Sequence, residues 1–224
     1  MQPSQLPELS LLETRVLGVL VEKQHTVPDA YPLTLNALTA GCNQKTSRDP
    51  ILAAAEAEVQ ATIDRLIGLS LVVESSGGRV MRYAHNVQRV LGVPAEAVAL
   101  LATLMLRGPQ TAGELRIHSE RLHRFADTSA TEGYLHELAA RPAGTLVVEL
   151  GRAPGARETR WMHLLSGAPA AATLATADAT DASAVIAVSE VAALRANVGR
   201  LQDDLAALQA VVAKLCAELG IAPR

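Results

Sequence analysis

The feature that most constrains this chain is that it repeats itself. "LVVE" occurs at residues 71–74 and again at 146–149, and "RYAH" at 82–85 returns as "RWMH" at 160–163. Thr34 and Leu38 likewise match Thr111 and Leu115, and Ile63 and Leu66 match Leu135 and Leu138. The matched pieces keep their order while partners lie 72 to 78 residues apart. Fixed order with loops of changing length points to a duplicated domain, so the two halves must share one fold.

The first half reads as three helices and a hairpin. Ser10 and Glu13 form a capping box ahead of Leu12, Val16, Leu17 and Leu20 at helical spacing. Pro28 and Pro32 break the chain, and a short helix from about Thr34 to Cys42 turns Leu35 and Leu38 inward. A third helix covers roughly Glu56 to Gly68 and buries Val59, Ile63, Leu66 and Ile67. Strands at Leu71–Ser75 and Val80–Ala84 enclose Ser76-Gly77-Gly78, which suits a hairpin turn. That is the element order of a winged helix.

The second half follows the same plan. Pro94 opens a helix with Val98, Leu101, Leu104 and Met105, closed by Gly108-Pro109. Thr111–Glu114 and Ser129–Glu132 read as further capping boxes, and strands at Thr145–Leu150 and Thr159–Leu165 complete the unit. The expected fold class is mainly α with small β-hairpin wings, arranged as winged-helix domains over residues 1–90 and 91–167.

Residues 168–184 (APAAATLATADATDASA) contain nothing that drives a core and read as a flexible linker. Over 185–221, Val191, Leu194, Val198, Leu201, Leu205, Leu208, Val212, Leu215 and Leu219 alternate by three and four. Mostly β-branched residues at a and leucine at every d favour a parallel two-stranded coiled coil, and hence a homodimer. The seam would run ~43 Å at ~1.5 Å per residue. Folding back onto the chain's own domains is the alternative, against which the narrowness of the seam argues. Antiparallel pairing, a trimer and a foreign helical partner stay open.

Composition narrows the function. The formal charge is −3, so no broad basic field draws the whole molecule onto DNA or an anionic membrane. Cys42 and Cys216 lack metal-ligand spacing and fit a reducing compartment. The N-terminus lacks the pattern of a signal peptide, and no apolar run approaches the ~20 residues of a membrane span. A cytoplasmic protein is expected.

No catalytic constellation, metal site or cofactor site is expected. His118 and His123 lack the spacing of a helical zinc pair, and Cys42 reads as a buried structural thiol. His85 and His163 hold equivalent places at the ends of the two wings and read as packing residues inherited through duplication, with a pH switch as the alternative. The third helix, which reads base edges in helix-turn-helix proteins, offers Glu56, Glu58, Gln60, Thr62, Asp64 and Arg65 in the first unit. In the second it offers Glu132, His136 and Glu137, without Lys or Arg. Both count against standard base readout. Other arginines, Arg116, Arg121 and Arg124, lie between the second unit's last two helices.

Basic groups also gather in the loop CNQKTSRDP at 42–50 and in the wings. Asn43 is placed to end the second helix and Asp49-Pro50 to redirect the chain toward the third, which leaves Gln44, Lys45 and Arg48 without a structural role. With Arg79 and Arg82 in the first wing and Arg152, Arg157 and Arg160 in the second, they form the expected nucleic-acid contact set.

The run "LTLNALTAGCNQKTSRDP", followed by "EAEVQATIDRLIGLSLV", resembles the YceH-like bacterial proteins, a family of unassigned function. The resemblance continues through "LMLRGPQTAGELR", "RFAD" and "RETRWMHLLSG" and covers about residues 8–167. It implies two tandem winged helices and carries no activity, cofactor or catalytic residue. Relatives resemble one another in a Ser where Ala55 stands here, so the third helix is expected to lack its side-chain cap, a loss of ~1 kcal/mol.

Two functional readings follow. The first is a non-enzymatic, DNA-associated regulatory protein touching phosphates through its wings and the 43–48 loop. The second is a protein-interaction module using acidic third helices and the coiled coil, without DNA.

Overall fold

Ser10 starts the first helix as its spacing predicts. The Ser10 hydroxyl accepts from the Glu13 amide (3.2 Å), and Glu13 Oε2 accepts from the Ser10 amide (2.6 Å), closing the capping box of α1 (Leu11–Thr26). The computed structural model of the protein describes residues 7–76, 80–152 and 158–168. Nearly all of the expected linker, and the whole coiled-coil segment 185–221 with its a and d residues, lie outside the described residues.

Thr34 caps α2 (Leu35–Cys42) by accepting from the Ala37 amide, and α3 (Glu56–Gly68) follows the 43–55 loop. β1 (Val72–Ser75) pairs antiparallel with β2 (Arg82–His85), with Val72 opposite His85. After α4 (Val87–Leu91) the order recurs: α5 (Ala95–Arg107), α6 (Ala112–His118), α7 (Thr128–Ala139), then β3 (Val147–Leu150) antiparallel to β4 (Arg160–His163). The described residues therefore form two helix-helix-helix-hairpin modules, mainly α with small β wings.

The duplication is visible in side chains and backbone alike. Thr111 caps α6 as Thr34 caps α2, and Leu38 and Leu115 are both fully buried. Just ahead of the second helix of each module, one residue pairs with the returning wing strand: Leu33 with Tyr83, and Gln110 with Trp161. The aromatic rings at these two matched positions are 4% and 3% exposed, so each wing is pinned by an aromatic sunk into the core.

The modules share one core. α1 packs on α2 and α3 of its own module and also on α5 of the next. Consequently Val16, Leu17, Val19, Leu20 and Val21 are all buried, a wider apolar face than a surface helix shows. Gly18 permits the closest approach, because a Cβ there would lie 2.8 Å from Leu106 Cγ. The N-terminal segment also reaches across: the Leu9 amide donates to the Leu165 carbonyl at 2.8 Å.

The structure departs from the sequence reading in the start of α7 and in an added helix, and it bears out the missing cap of α3. The Ser129–Glu132 capping box is not formed: α7 begins at Thr128, capped by Asp127, whose Oδ1 accepts from the Ala130 amide at 2.7 Å. α4 was not expected, since five residues are too few to show a helical period. α3 does lack a side-chain N-cap at Ala55, but Glu58 Oε2 accepts from the Ala55 amide (2.7 Å), supplying the return half of a capping box.

Candidate interaction surfaces

The CNQKTSRDP loop is built around two arginines. An α-helix leaves its last carbonyls without intrahelical partners. Here Arg48 Nε donates to the Gly41 carbonyl (3.2 Å), and Arg15 Nη1, from α1, donates to the Cys42 carbonyl (3.2 Å), so both cations cap the end of α2. Arg15 Nη2 also holds the Pro50 carbonyl at 2.6 Å, tying the far end of the loop to the near one. Burial, then Arg48 beside it, pushes the Arg15 guanidinium below its usual range. Cys42, packed in the core as expected, has its thiol pushed up to about 12 by burial.

Arg48, expected without a structural role, has one. Its side chain is fully buried, and Nη1 and Nη2 donate to the two Glu22 carboxylate oxygens at 3.1 and 2.6 Å. Sequence reading missed this because Glu22 lies 26 residues away on α1. Asn43 does end α2, as expected, and does more: its side chain donates to and accepts from the Ala54 backbone, both at 2.8 Å, clamping the loop across its base. Gln44 also has local work, accepting from Lys23 Nζ (3.2 Å) and donating to the Thr46 carbonyl (3.0 Å). Lys45 alone of the three is exposed.

The wing arginines divide in the same way. Arg82 is exposed but donates to its own chain, to the Pro32 carbonyl at 2.8 Å and the Ala30 carbonyl at 3.3 Å. Arg160 stands 3.8 Å from Glu114, and Arg152 is exposed. Arg79 and Arg157 lie outside the described residues. The structure thus leaves Lys45 and Arg152 as the outward cations of the expected set that have no partner among the described residues.

The outer faces of the third helices are acidic. Glu56, Glu58 and Asp64 are exposed on α3, while Arg65, the one base there, stands 2.9 Å from the buried carboxylate of Glu13. On α7, Glu132, His136 and Glu137 are exposed. Beside α7 a notch of about 250 Å³ adds Glu149, Glu158 and Arg152 around Trp161, whose ring meets His136 edge-on at 5.1 Å.

Where the loop meets the second module a second cleft opens, of about 290 Å³. The contact across it is direct: the Asp49 amide donates to the Leu106 carbonyl (2.8 Å), and Arg107 Nη2 donates to Ser47 Oγ (2.7 Å).

His85 and His163 occupy matched positions, each on the returning wing strand and opposite a buried valine. In both, Nδ1 is buried without a hydrogen-bond partner, and burial pulls the ring down to about 4. His85 Nε2 is within 2.6 Å of Gln24 Oε1. Among the described residues no group of three or more His, Cys, Asp or Glu is placed to hold a metal ion, and no helix is long and apolar enough to cross a membrane.

Two winged-helix modules with a shared core define the class. Residues 9–156 match the family described as "Protein of unknown function, DUF480", and the chain belongs to that family. It is 58% identical over 219 residues to a UPF0502 protein of Burkholderia orbicola, covering 98% of this chain and 92% of the relative. A UPF0502 protein of Burkholderia lata is 59% identical over the same lengths. The bacterial family expected from the motifs is thereby shown.

Proposed function

We propose that this chain is a non-enzymatic regulatory protein that docks a basic surface of another protein on the acidic outer faces of α3 and α7. One observation carries the reading. In both modules the helix that a DNA reader would lay in the major groove presents carboxylates, and its only base, Arg65, is turned onto Glu13. DNA phosphates would meet those carboxylates at a cost. A lysine- or arginine-bearing partner would meet complementary charge. The notch beside α7, with Glu132, Glu149 and Glu158 around an indole, suits an inserted basic side chain.

The second reading is duplex DNA held by its phosphates through the wings and the 43–48 loop, and Lys45 and Arg152 support it. We also place the protein in the cytoplasm, as a homodimer joined through the 185–221 helix.

The test uses the full chain as crosslinking bait in bacterial lysate beside an E132K/E137K variant. A partner recovered with the parent, released by salt and lost with the variant supports the reading. Equal recovery by both would sink it.

A further inference from the structure

We propose that the cleft between the 43–48 loop and the second module is a binding site for a small phosphate monoester. Its residues are not those of the protein-docking faces, so the two readings stand or fall separately.

The argument starts from charge. Among the described residues Glu22 is the only carboxylate lining the cleft, and it is occupied: Arg48 bonds both its oxygens, and Lys23 Nζ lies 3.2 Å from Oε2. Arg107 and Arg121 also line it, and among the described residues neither pairs with a carboxylate. Lys23, Arg107 and Arg121 therefore line a concave space whose one lining carboxylate is already bonded by Arg48.

Lys23 and Arg107 stand in the last turns of α1 and α5, where the helix dipole favours a cation. That accounts for each of them singly. It does not account for Arg121, which arrives from the α6–α7 connection, nor for Ser47 fixing Arg107 from the opposite wall. Burial lowers the pKa of Arg107, with Arg48 adding to the effect and Glu22 opposing it. A half-buried guanidinium that pairs with no carboxylate is relieved by a bound anion.

The lining selects among anions. Two guanidinium groups and an ammonium match a dianion better than a single carboxylate, and guanidinium forks fit phosphate oxygens in pairs. The Thr46 and Ser47 hydroxyls add neutral partners. A cleft of about 290 Å³ takes a phosphate with a small organic body rather than a nucleotide. Because Lys23, Thr46 and Ser47 come from one module and Arg107 and Arg121 from the other, the ligand would bridge the two and stabilise their junction.

The experiment titrates the full-length protein with inorganic phosphate and with glycerol 3-phosphate, at constant ionic strength, by calorimetry and by thermal unfolding. One saturable site is expected, with Kd for glycerol 3-phosphate at or below about 1 mM and a Tm that rises with ligand. Arg121→Gln, at an exposed position, should weaken binding about tenfold without lowering the ligand-free Tm. Arg107→Gln should weaken it at least as much. Absence of saturable binding, affinity unchanged in both variants, or equal affinity for sulfate would overturn the proposal. Duplex DNA displacing the phosphate would overturn it as well, in favour of a nucleic-acid backbone.

Discussion

Arg48 and Glu22 make a two-point ion pair between the loop that follows α2 and the body of α1, at 3.1 and 2.6 Å. The same guanidinium caps the Gly41 carbonyl. One side chain thus ends a helix, closes a loop and holds that loop against the module interface.

Arg48→Ala should cost stability. It leaves Glu22 half-buried beside Lys23 alone and strips the α2 terminus of a cap. Removing one member of a buried pair costs about 3–5 kcal/mol, and partial exposure of Glu22 brings the expectation to about 2–3 kcal/mol in denaturant unfolding. Arg48→Lys should recover little, because an ammonium cannot fork onto the carboxylate and reach the carbonyl together. A stability equal to the parent's would contradict this structural role of Arg48.

The caps of α7 give a sharper local comparison. Asp127→Ala should cost about 1 kcal/mol, the usual loss for an N-cap carboxylate. Ser129→Ala should be near neutral, since Ser129 is exposed and makes no cap bond. The reverse order in paired denaturation curves would restore the Ser129–Glu132 box.

Acid should destabilise the fold through the wing histidines. Both rings are held neutral, with folded values of about 4 against an ordinary 6.5, so the unfolded chain takes up protons first. Stability is then fully present above pH 6.5 and falls as pH drops toward 4, by roughly 1–3 kcal/mol per histidine. The double variant His85→Gln/His163→Gln should show a flatter pH profile of unfolding. An equal slope in parent and variant would contradict this.

The repeated motifs made the architecture legible: the Thr111–Glu114 capping box and the recurrence of three helices and a hairpin needed only order and spacing. The loop was less legible. Lys45 and Arg48 are similar basic residues three positions apart in a polar stretch, yet one is exposed and one is buried. What separates them is the carboxylate of Glu22 and the unpaired carbonyl of Gly41, which lie nearby only once α1 and α2 have packed. The α7 cap failed for a different reason. Asp127 and Ser129 are both good N-caps two residues apart, and packing of Thr131, Leu135 and Leu138 selects the register.

The homodimer proposal rests on the heptads alone. Replacing Leu201 and Leu208 with polar residues should halve the mass seen by light scattering. A monomeric parent would refute it.

The most direct measurement is a titration of the full-length protein with duplex DNA across a range of salt concentrations. Acidic third helices and an internally bonded Arg48 predict no duplex binding even at low salt. Binding with a steep negative salt slope, lost on replacing Lys45 and Arg152 with alanine, would contradict the account and restore DNA as the partner.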